Sequence, residues 1–247
     1  MNVLQDLENA KSNGSKRIAI LLDPDKTENT KVKALLSSID PSIVHYIFVG
    51  GSQVPNGRTQ NLVRLLKQNT SIPVVLFPGN YNQISLDADA LLYLSLISGR
   101  NSEFLIEQHV KAVPIIKNSN LEIIPTSYLL IGGTSETSVS QVSKTSPMQI
   151  GDIELIENTV LAGVFQGKKL TYLEAGSGAK NAVPLNIVES ISKELDHPLI
   201  VGGGIRSFEQ VLNTLNSGAD LVVLGTVIED NPEFILRLKN LQHAGIN

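Results

Sequence analysis

Short apolar runs rich in Ile, Val and Leu recur along the whole chain, each bounded by Gly, Pro or Asp. They fall near Arg17–Leu22, Val44–Val49, Pro73–Phe77, Ala90–Leu96, Glu122–Ile131, Leu170–Glu174, Leu199–Val201 and Leu221–Leu224. The runs are nearly continuously apolar instead of alternating. That is the pattern of parallel strands covered on one face by helices and packed inside on the other. Helical patterns lie between them at Asn29–Ser38, Arg58–Asn69, Asn101–Asn118, Asp152–Phe165, Pro184–Leu195 and Ser207–Ser217, and Pro232–Leu241 closes the chain. Leu62, Leu65 and Leu66 mark the core face of the second, and Ser207 caps the sixth. Eight strand–helix units predict an α/β fold of the closed (β/α)8 TIM-barrel class, and 247 residues is an ordinary length for one. The competing open, doubly wound sheet lacks its G-x-G-x-x-G signature after the first strand.

One unit is irregular. After the third run, Gly79–Asp89 holds Gly, Asn and Asp in place of an apolar stripe, so the third helix is expected to be short or missing. Gly132–Ile150 is Ser/Thr-rich and reads as a long loop on the top face. No linker divides the chain, so residues 1–247 are read as a single domain.

Composition narrows the function. Cysteine is absent, which removes disulfides, thiolate nucleophiles and cysteine-ligated metals. A net charge of −4 gives no electrostatic reason to expect nucleic acid. Met1–Lys16 lacks the apolar centre of a signal peptide, and the run Leu91–Ile97 is far too short to span a bilayer. The expectation is a cytoplasmic protein, with contact to a membrane surface left open.

The last third of the chain carries the densest chemistry. Gly202-Gly203-Gly204 and Gly225-Thr226 end the last two strands, where barrels hold phosphate on backbone N–H groups. Tight turns would explain single glycines; a triple glycine is better explained by a backbone that must approach an anion. Tyr172-Leu173-Glu174-Ala175-Gly176-Ser177-Gly178 ends the sixth strand. A carboxylate beside a phosphate site is unfavourable unless it binds hydroxyls, acts as a base or holds a cation, and Tyr172 shares the face of Glu174 by alternation. The bland alternative is a scaffold ion pair. Asp23-Pro24-Asp25-Lys26 ends the first strand, a position for a base or for Mg²⁺, although D-P-D is also a turn signal. Gly50-Gly51-Ser52 ends the second, and the Ser52 hydroxyl is within sequence reach of a metal or diphosphate. His45, His197 and His243 read as structural or surface residues, and His109 lies in a helix without a partner motif.

Taken in order, L-L-D-P-D-K, F-V-G-G-S, Y-L-S-L-I-S-G-R-N, I-I-P-T-S-Y, Y-L-E-A-G-S-G-A, V-G-G-G-I-R-S and L-G-T resemble the geranylgeranylglyceryl phosphate synthases and their heptaprenyl relatives. The resemblance spans about Arg17 to Phe234, and Y-L-E-A-G-S-G is its most specific part. It implies an Mg²⁺-dependent prenyltransferase that joins a polyprenyl group, from its diphosphate, to the sn-3 hydroxyl of sn-glycerol 1-phosphate. It also implies a homo-oligomer. Mg²⁺ would fall to Asp23 and Ser52. Glycerol phosphate would fall to Tyr172, Leu173, Glu174, Ala175, Gly176, Ser177 and Gly178, with Gly203, Gly204, Gly225 and Thr226. Glu174 and Asp23 are the expected catalytic residues, and Phe77, Pro78 and Tyr81 would line a gap for the prenyl tail left by the third helix. One branch of the family has Lys two residues before the metal Asp; here that residue is Leu21. Two other readings stay open: a barrel-type phosphate-sugar isomerase, epimerase or lyase, and a non-catalytic prenyl-phosphate or flavin-phosphate binding protein.

Overall fold

The structure, a computed structural model, describes residues 2–132 and 137–243. Its strands are β1 (Arg17–Leu22), β2 (Tyr46–Val49), β3 (Val74–Leu76), β4 (Ala90–Leu96), β5 (Glu122–Gly132), β6 (Leu170–Glu174), β7 (Leu199–Gly202) and β8 (Leu221–Leu224). Each pairs in parallel with the next, and β8 returns to β1 in the register Arg17↔Leu221 to Ile20↔Leu224, which closes the barrel. A two-residue strand, Met148–Gln149, extends the end of β5.

Period-two alternation divides the strand residues into two cores. Ala19, Phe48, Val75, Leu92, Tyr128 and Tyr172 point into the barrel. Ile20, Ile47, Leu129, Leu173 and Val201 point out, against the helices. Those helices are α1 (Val3–Ser12), α2 (Asn29–Ser38), α3 (Arg58–Asn69), α4 (Gln108–Ile116), α5 (Ser138–Ser143), α6 (Ile153–Phe165), α7 (Leu185–Glu194), α8 (Phe208–Asn216), α9 (Thr226–Asp230), α10 (Phe234–Arg237) and α11 (Asn240–His243). Among the described residues none is long and apolar enough to cross a membrane.

α1 precedes the barrel and closes its bottom. Asn2 caps it, Val3 and Leu7 pack against the interior, and Ala10 is buried as well. Burying Val3 and Leu7 contributes roughly 1.5–3 kcal/mol each. The Glu122 carboxylate, at the start of β5, accepts the N–H groups of Val3 at 2.6 Å and Leu4 at 3.0 Å, satisfying the free end of the helix. Asp220 receives Lys11 at 3.1 Å and Lys16 at 3.7 Å.

Between β3 and β4 there is no α-helix. Asn80 accepts the Asn82 N–H at 2.9 Å and so starts a single 3₁₀ turn, Tyr81–Gln83, after which the chain is already extended at Ile84. The wall of the barrel is therefore thin there. α4 is preceded by a π-helical turn, Glu103–Glu107, where a single regular helix was expected. The expected closing helix is two short ones, α10 and α11. The expected top-face loop holds α5, whose capping box joins Thr137 and Ser140; residues 133–136 of that loop lie outside the described ones.

Candidate active site

The C-terminal ends of the strands open onto a cavity of about 480 Å³. It reaches from the loops after β6, β7 and β8, across the ends of β1 and β2, to the thin wall at β3 and β4. Asp23, Ser52, Tyr172, Glu174, Ser177, Gly178, Gly203, Gly204, Gly225 and Thr226 all line it. The side chains of Leu173 and Ala175 do not; both pack in the apolar layer outside the barrel. Gly176 faces Glu174 with its backbone, donating its N–H to Oε1 at 2.7 Å.

β6 places Tyr172 and Glu174 on the same inward face. Register sets Glu174 beside Gly202 and Tyr172 beside Tyr128. Glu174 is 5% exposed, and burial pushes its carboxyl up to about 7; the Gly176 N–H opposes that rise. The buried Tyr172 hydroxyl lies beside the Glu174 carboxylate and also opposes the rise, and a Cβ on Gly202 would touch both groups. A buried hydroxyl and a carboxyl of raised pKa side by side make a polar pair suited to ligand hydroxyls.

The glycines after β7 are required by this arrangement. Gly203 has φ +79° and Gly204 φ +69°. A Cβ on Gly203 would overlap Glu174 Oε1 and meet the Gly176 nitrogen at 2.7 Å. Gly225 differs: a Cβ there would meet only Leu21, at 3.5 Å, which is ordinary contact. Packing therefore leaves room at Gly225 for a larger residue, and a glycine there keeps the cavity end open.

Asp23 holds its own turn. Its Oδ1 accepts the Asp25 N–H at 3.0 Å, and burial raises its carboxyl above the usual range while Lys26 pulls the other way. Lys26 Nζ lies 3.8 Å from Asp23 Oδ2 and 3.3 Å from Glu229 Oε2 on α9. Asp25, at the cavity mouth, pairs with Arg58 at 3.5 Å. The charged residues on the cavity are Asp23, Asp25, Glu174 and Glu229 against Lys26 and Arg206. Three carboxylate, His or Cys side chains clustered to hold a metal do not occur among the described residues. Mg²⁺ needs fewer, since substrate phosphates and water complete its shell.

The far end is apolar. Phe77, Pro78, Tyr81, Ile84, Leu92, Leu94, Phe104 and Ala112 line it. Phe77 stacks on Tyr172 with centroids 4.9 Å apart, and Tyr128 meets both edge-on, at 5.6 and 5.5 Å. Tyr128 and Arg206 stand in the motifs I-I-P-T-S-Y and V-G-G-G-I-R-S without a role assigned to either, and Glu229 belongs to no motif. The place of Tyr128 in the site follows from its register with Tyr172. Arg206 stands two residues after the triple glycine, and Glu229 is near Lys26 only in space. His109 is buried on α4 and its ring bonds the Leu94 carbonyl at 2.8 Å, which gives it a structural role.

With this geometry in view, comparisons with known proteins agree. The PcrB family model matches residues 13–242. The chain is 49% identical over 230 residues to a geranylgeranylglyceryl phosphate synthase of Flavobacterium johnsoniae, covering 93% of this chain and 95% of that one. It is 39% identical over 211 residues to the Pyrococcus furiosus protein of that name, covering 85% and 83%. A crystal structure of the Thermoplasma acidophilum (S)-3-O-geranylgeranylglyceryl phosphate synthase, with its substrate sn-glycerol-1-phosphate, superposes with a TM-score of 0.91 at 30% identity, covering 99% and 98%. The chain belongs to the PcrB family.

Proposed function

We propose that this chain transfers a polyprenyl group, geranylgeranyl by the names of its relatives, from the diphosphate to the sn-3 hydroxyl of sn-glycerol 1-phosphate. The observation that carries the reading is the cavity itself. One continuous space joins glycine loops suited to phosphate, a buried Glu–Tyr pair suited to a polyol, and an apolar wall suited to a long hydrocarbon. A sugar-phosphate isomerase would have no use for the apolar wall.

In the reaction the bond from prenyl C1 to the diphosphate oxygen breaks, and that electron pair leaves with diphosphate. The glycerol hydroxyl oxygen forms the new ether bond to C1, and its proton passes to the Glu174 carboxylate. Gly203, Gly204, Gly225, Thr226, Ser177 and Gly178 hold the glycerol phosphate by backbone N–H and hydroxyl groups. Tyr172 and Glu174 hold the glycerol hydroxyls, so that the attacking oxygen is fixed within reach of C1. An allylic electrophile needs only a weak base, and a carboxyl held near 7 suits both taking and returning the proton.

The cavity carboxylates outweigh its cations, so a diphosphate entering it needs added positive charge, and the donor set of Asp23 and Ser52 fits Mg²⁺. When bound there, Mg²⁺ would supply charge neutralisation for the leaving diphosphate. Asp23 also keeps the β1 turn in shape through its bonds to Asp25 and Thr27.

The same reading makes the protein a cytoplasmic homo-oligomer whose apolar product leaves toward a membrane surface. Exposed Ile106, Val110 and Val113 on the α4 side, with Leu155 and Phe165 on α6, support association through that side. Sedimentation at micromolar concentration tests it; a monomer overturns it.

Incubation with sn-glycerol 1-phosphate, Mg²⁺ and labelled geranylgeranyl diphosphate should yield labelled ether lipid. Asp23→Ala should abolish it, and omission of Mg²⁺ should do the same. No ether product with any prenyl length sinks the reading. Full turnover without Mg²⁺ removes the metal from it.

A further inference from the structure

The segment that replaces the third helix carries a buried clamp. Gln83, in the 3₁₀ turn, is 1% exposed. Its Oε1 accepts the N–H of Gly79 at 3.2 Å and, more weakly, of Gly51 at 3.4 Å; its Nε2 donates to the Gly51 carbonyl at 2.8 Å. Only one orientation of the amide satisfies all three contacts. The side chain thus grips both backbone polar groups of Gly51 and ties the loop after β2 to the loop after β3.

Close packing extends the grip to Asp23. A Cβ on Gly79 would meet the Gly51 carbonyl at 2.6 Å and the Ser52 carbonyl at 2.8 Å. A Cβ on Gly51 would meet Asp23 Oδ1 at 2.6 Å. Gly79 therefore rests on Gly51-Ser52, and Gly51 rests on the Asp23 carboxylate. We propose that Gln83 is a positioning residue for the diphosphate: it locks the Gly50–Ser52 loop against Asp23 and so fixes the spacing of those two side chains.

The clamp also reaches the apolar wall. The Tyr81 N–H, two residues before Gln83, donates to Gln108 Oε1 at 2.9 Å, and Gln108 Nε2 donates to Glu103 at 2.6 Å. Tyr81, Ile84 and Gln108 line the cavity. The turn that faces the hydrocarbon end is thus the same turn that holds the diphosphate loop, and one hydrogen-bonded unit spans both ends of the donor substrate. The loops after β6, β7 and β8 make no contact with Gln83 in its hydrogen-bond network.

This inference rests on the proposed function only for the identity of its ligand. The test is calorimetry on the full chain with two probes, inorganic diphosphate plus Mg²⁺ and sn-glycerol 1-phosphate, alongside steady-state kinetics. Gln83→Met keeps the volume and removes all three bonds. It is expected to weaken diphosphate binding at least 10-fold and raise the prenyl diphosphate KM to match, with glycerol phosphate affinity within two-fold of the unaltered chain. Gly79→Ala, which pushes on the same loop from above, should give the same split if Gln83→Met fails to fold. Unchanged diphosphate binding in a folded variant overturns the inference, as does equal weakening of both ligands. An unaltered chain that binds neither probe and makes no ether product overturns the proposed function instead.

Discussion

The two ends of the cavity are built by different means. The end at β6, β7 and β8 is shaped by main chain: glycines with left-handed backbone, their N–H groups and one buried carboxylate whose partner is also a backbone N–H. The end at β2, β3 and β4 is shaped by what is missing. A 3₁₀ turn stands where a helix would fill the space, and a single amide side chain keeps the loops in place. Backbone-built sites impose residue types at fixed spacing, because only glycine tolerates the geometry. A site made by omission constrains volume, and many apolar side chains satisfy it.

The largest expected effect tests the polar end. Glu174→Gln keeps shape and removes the base, so turnover should fall about 10²–10⁴-fold. The same change should stabilise the fold above neutral pH. The folded pKa, about 7, lies above the ordinary 4.5 of a free carboxyl, so the penalty for burying Glu174 is absent below about pH 4.5, grows as pH rises from there to 7, and is complete above 7. Removing that charge should raise the unfolding free energy at pH 8 by about 1–3 kcal/mol. The pH profile of kcat/KM in the unaltered chain should rise through about 7, as the carboxylate forms. Activity of Glu174→Gln within three-fold of the unaltered chain would dismiss Glu174 as the base and leave it an orienting group.

Gly203→Ala comes next. It places a Cβ against Glu174 and the Gly176 nitrogen at a φ of +79°. Strain there must displace the carboxylate, and a misplacement of that kind costs about 10²-fold in turnover. Initial rates at saturating and limiting glycerol phosphate measure it; a loss confined to prenyl diphosphate KM would show that the two ends are not separable in this way.

This division also explains what was legible in the sequence. β1, β4, β6 and β8 lie where the apolar runs placed them, because a strand buried on both faces leaves no polar position to blur its ends. The missing third helix was visible in Gly79–Asp89 for the converse reason. α1 was not, since only Val3, Leu7 and Ala10 of its ten residues face the core and its surroundings are polar. α5 is a Ser-rich helix held by a cap instead of an apolar stripe. At the site, Glu174, Asp23 and the glycines were readable as motifs. Gln83 and Glu229 were not, because their meaning lies in contacts across 32 residues to Gly51 and across 203 residues to Lys26; Tyr128 stood in the I-I-P-T-S-Y motif, but its contact with Tyr172 comes only through register.

The apolar end should respond to volume and be indifferent to charge chemistry. Ala112 on α4 lines the cavity and is 3% exposed. Ala112→Phe should lower kcat/KM for geranylgeranyl diphosphate about ten-fold relative to a shorter allylic diphosphate, the size of a moderate overpacking penalty. Glycerol phosphate KM should stay put. Competition between two labelled prenyl lengths reads the ratio directly; an unchanged ratio would place the tail elsewhere.

Gly225→Ala makes the smallest and most discriminating change. Its neighbour Leu21 leaves ordinary room for a methyl group, so the fold should not notice: the melting temperature should move by no more than about 2 °C. If Gly225 is small because a phosphate oxygen comes close, glycerol phosphate KM should still rise, by about 3–10-fold, the cost of lengthening one backbone hydrogen bond. At Gly203 the strain and the ligand are confounded, because the same Cβ would disturb both. At Gly225 they separate. A variant with unchanged melting temperature and unchanged KM would mean that the loop after β8 closes the cavity without touching the phosphate, and would confine the acceptor site to the loops after β6 and β7.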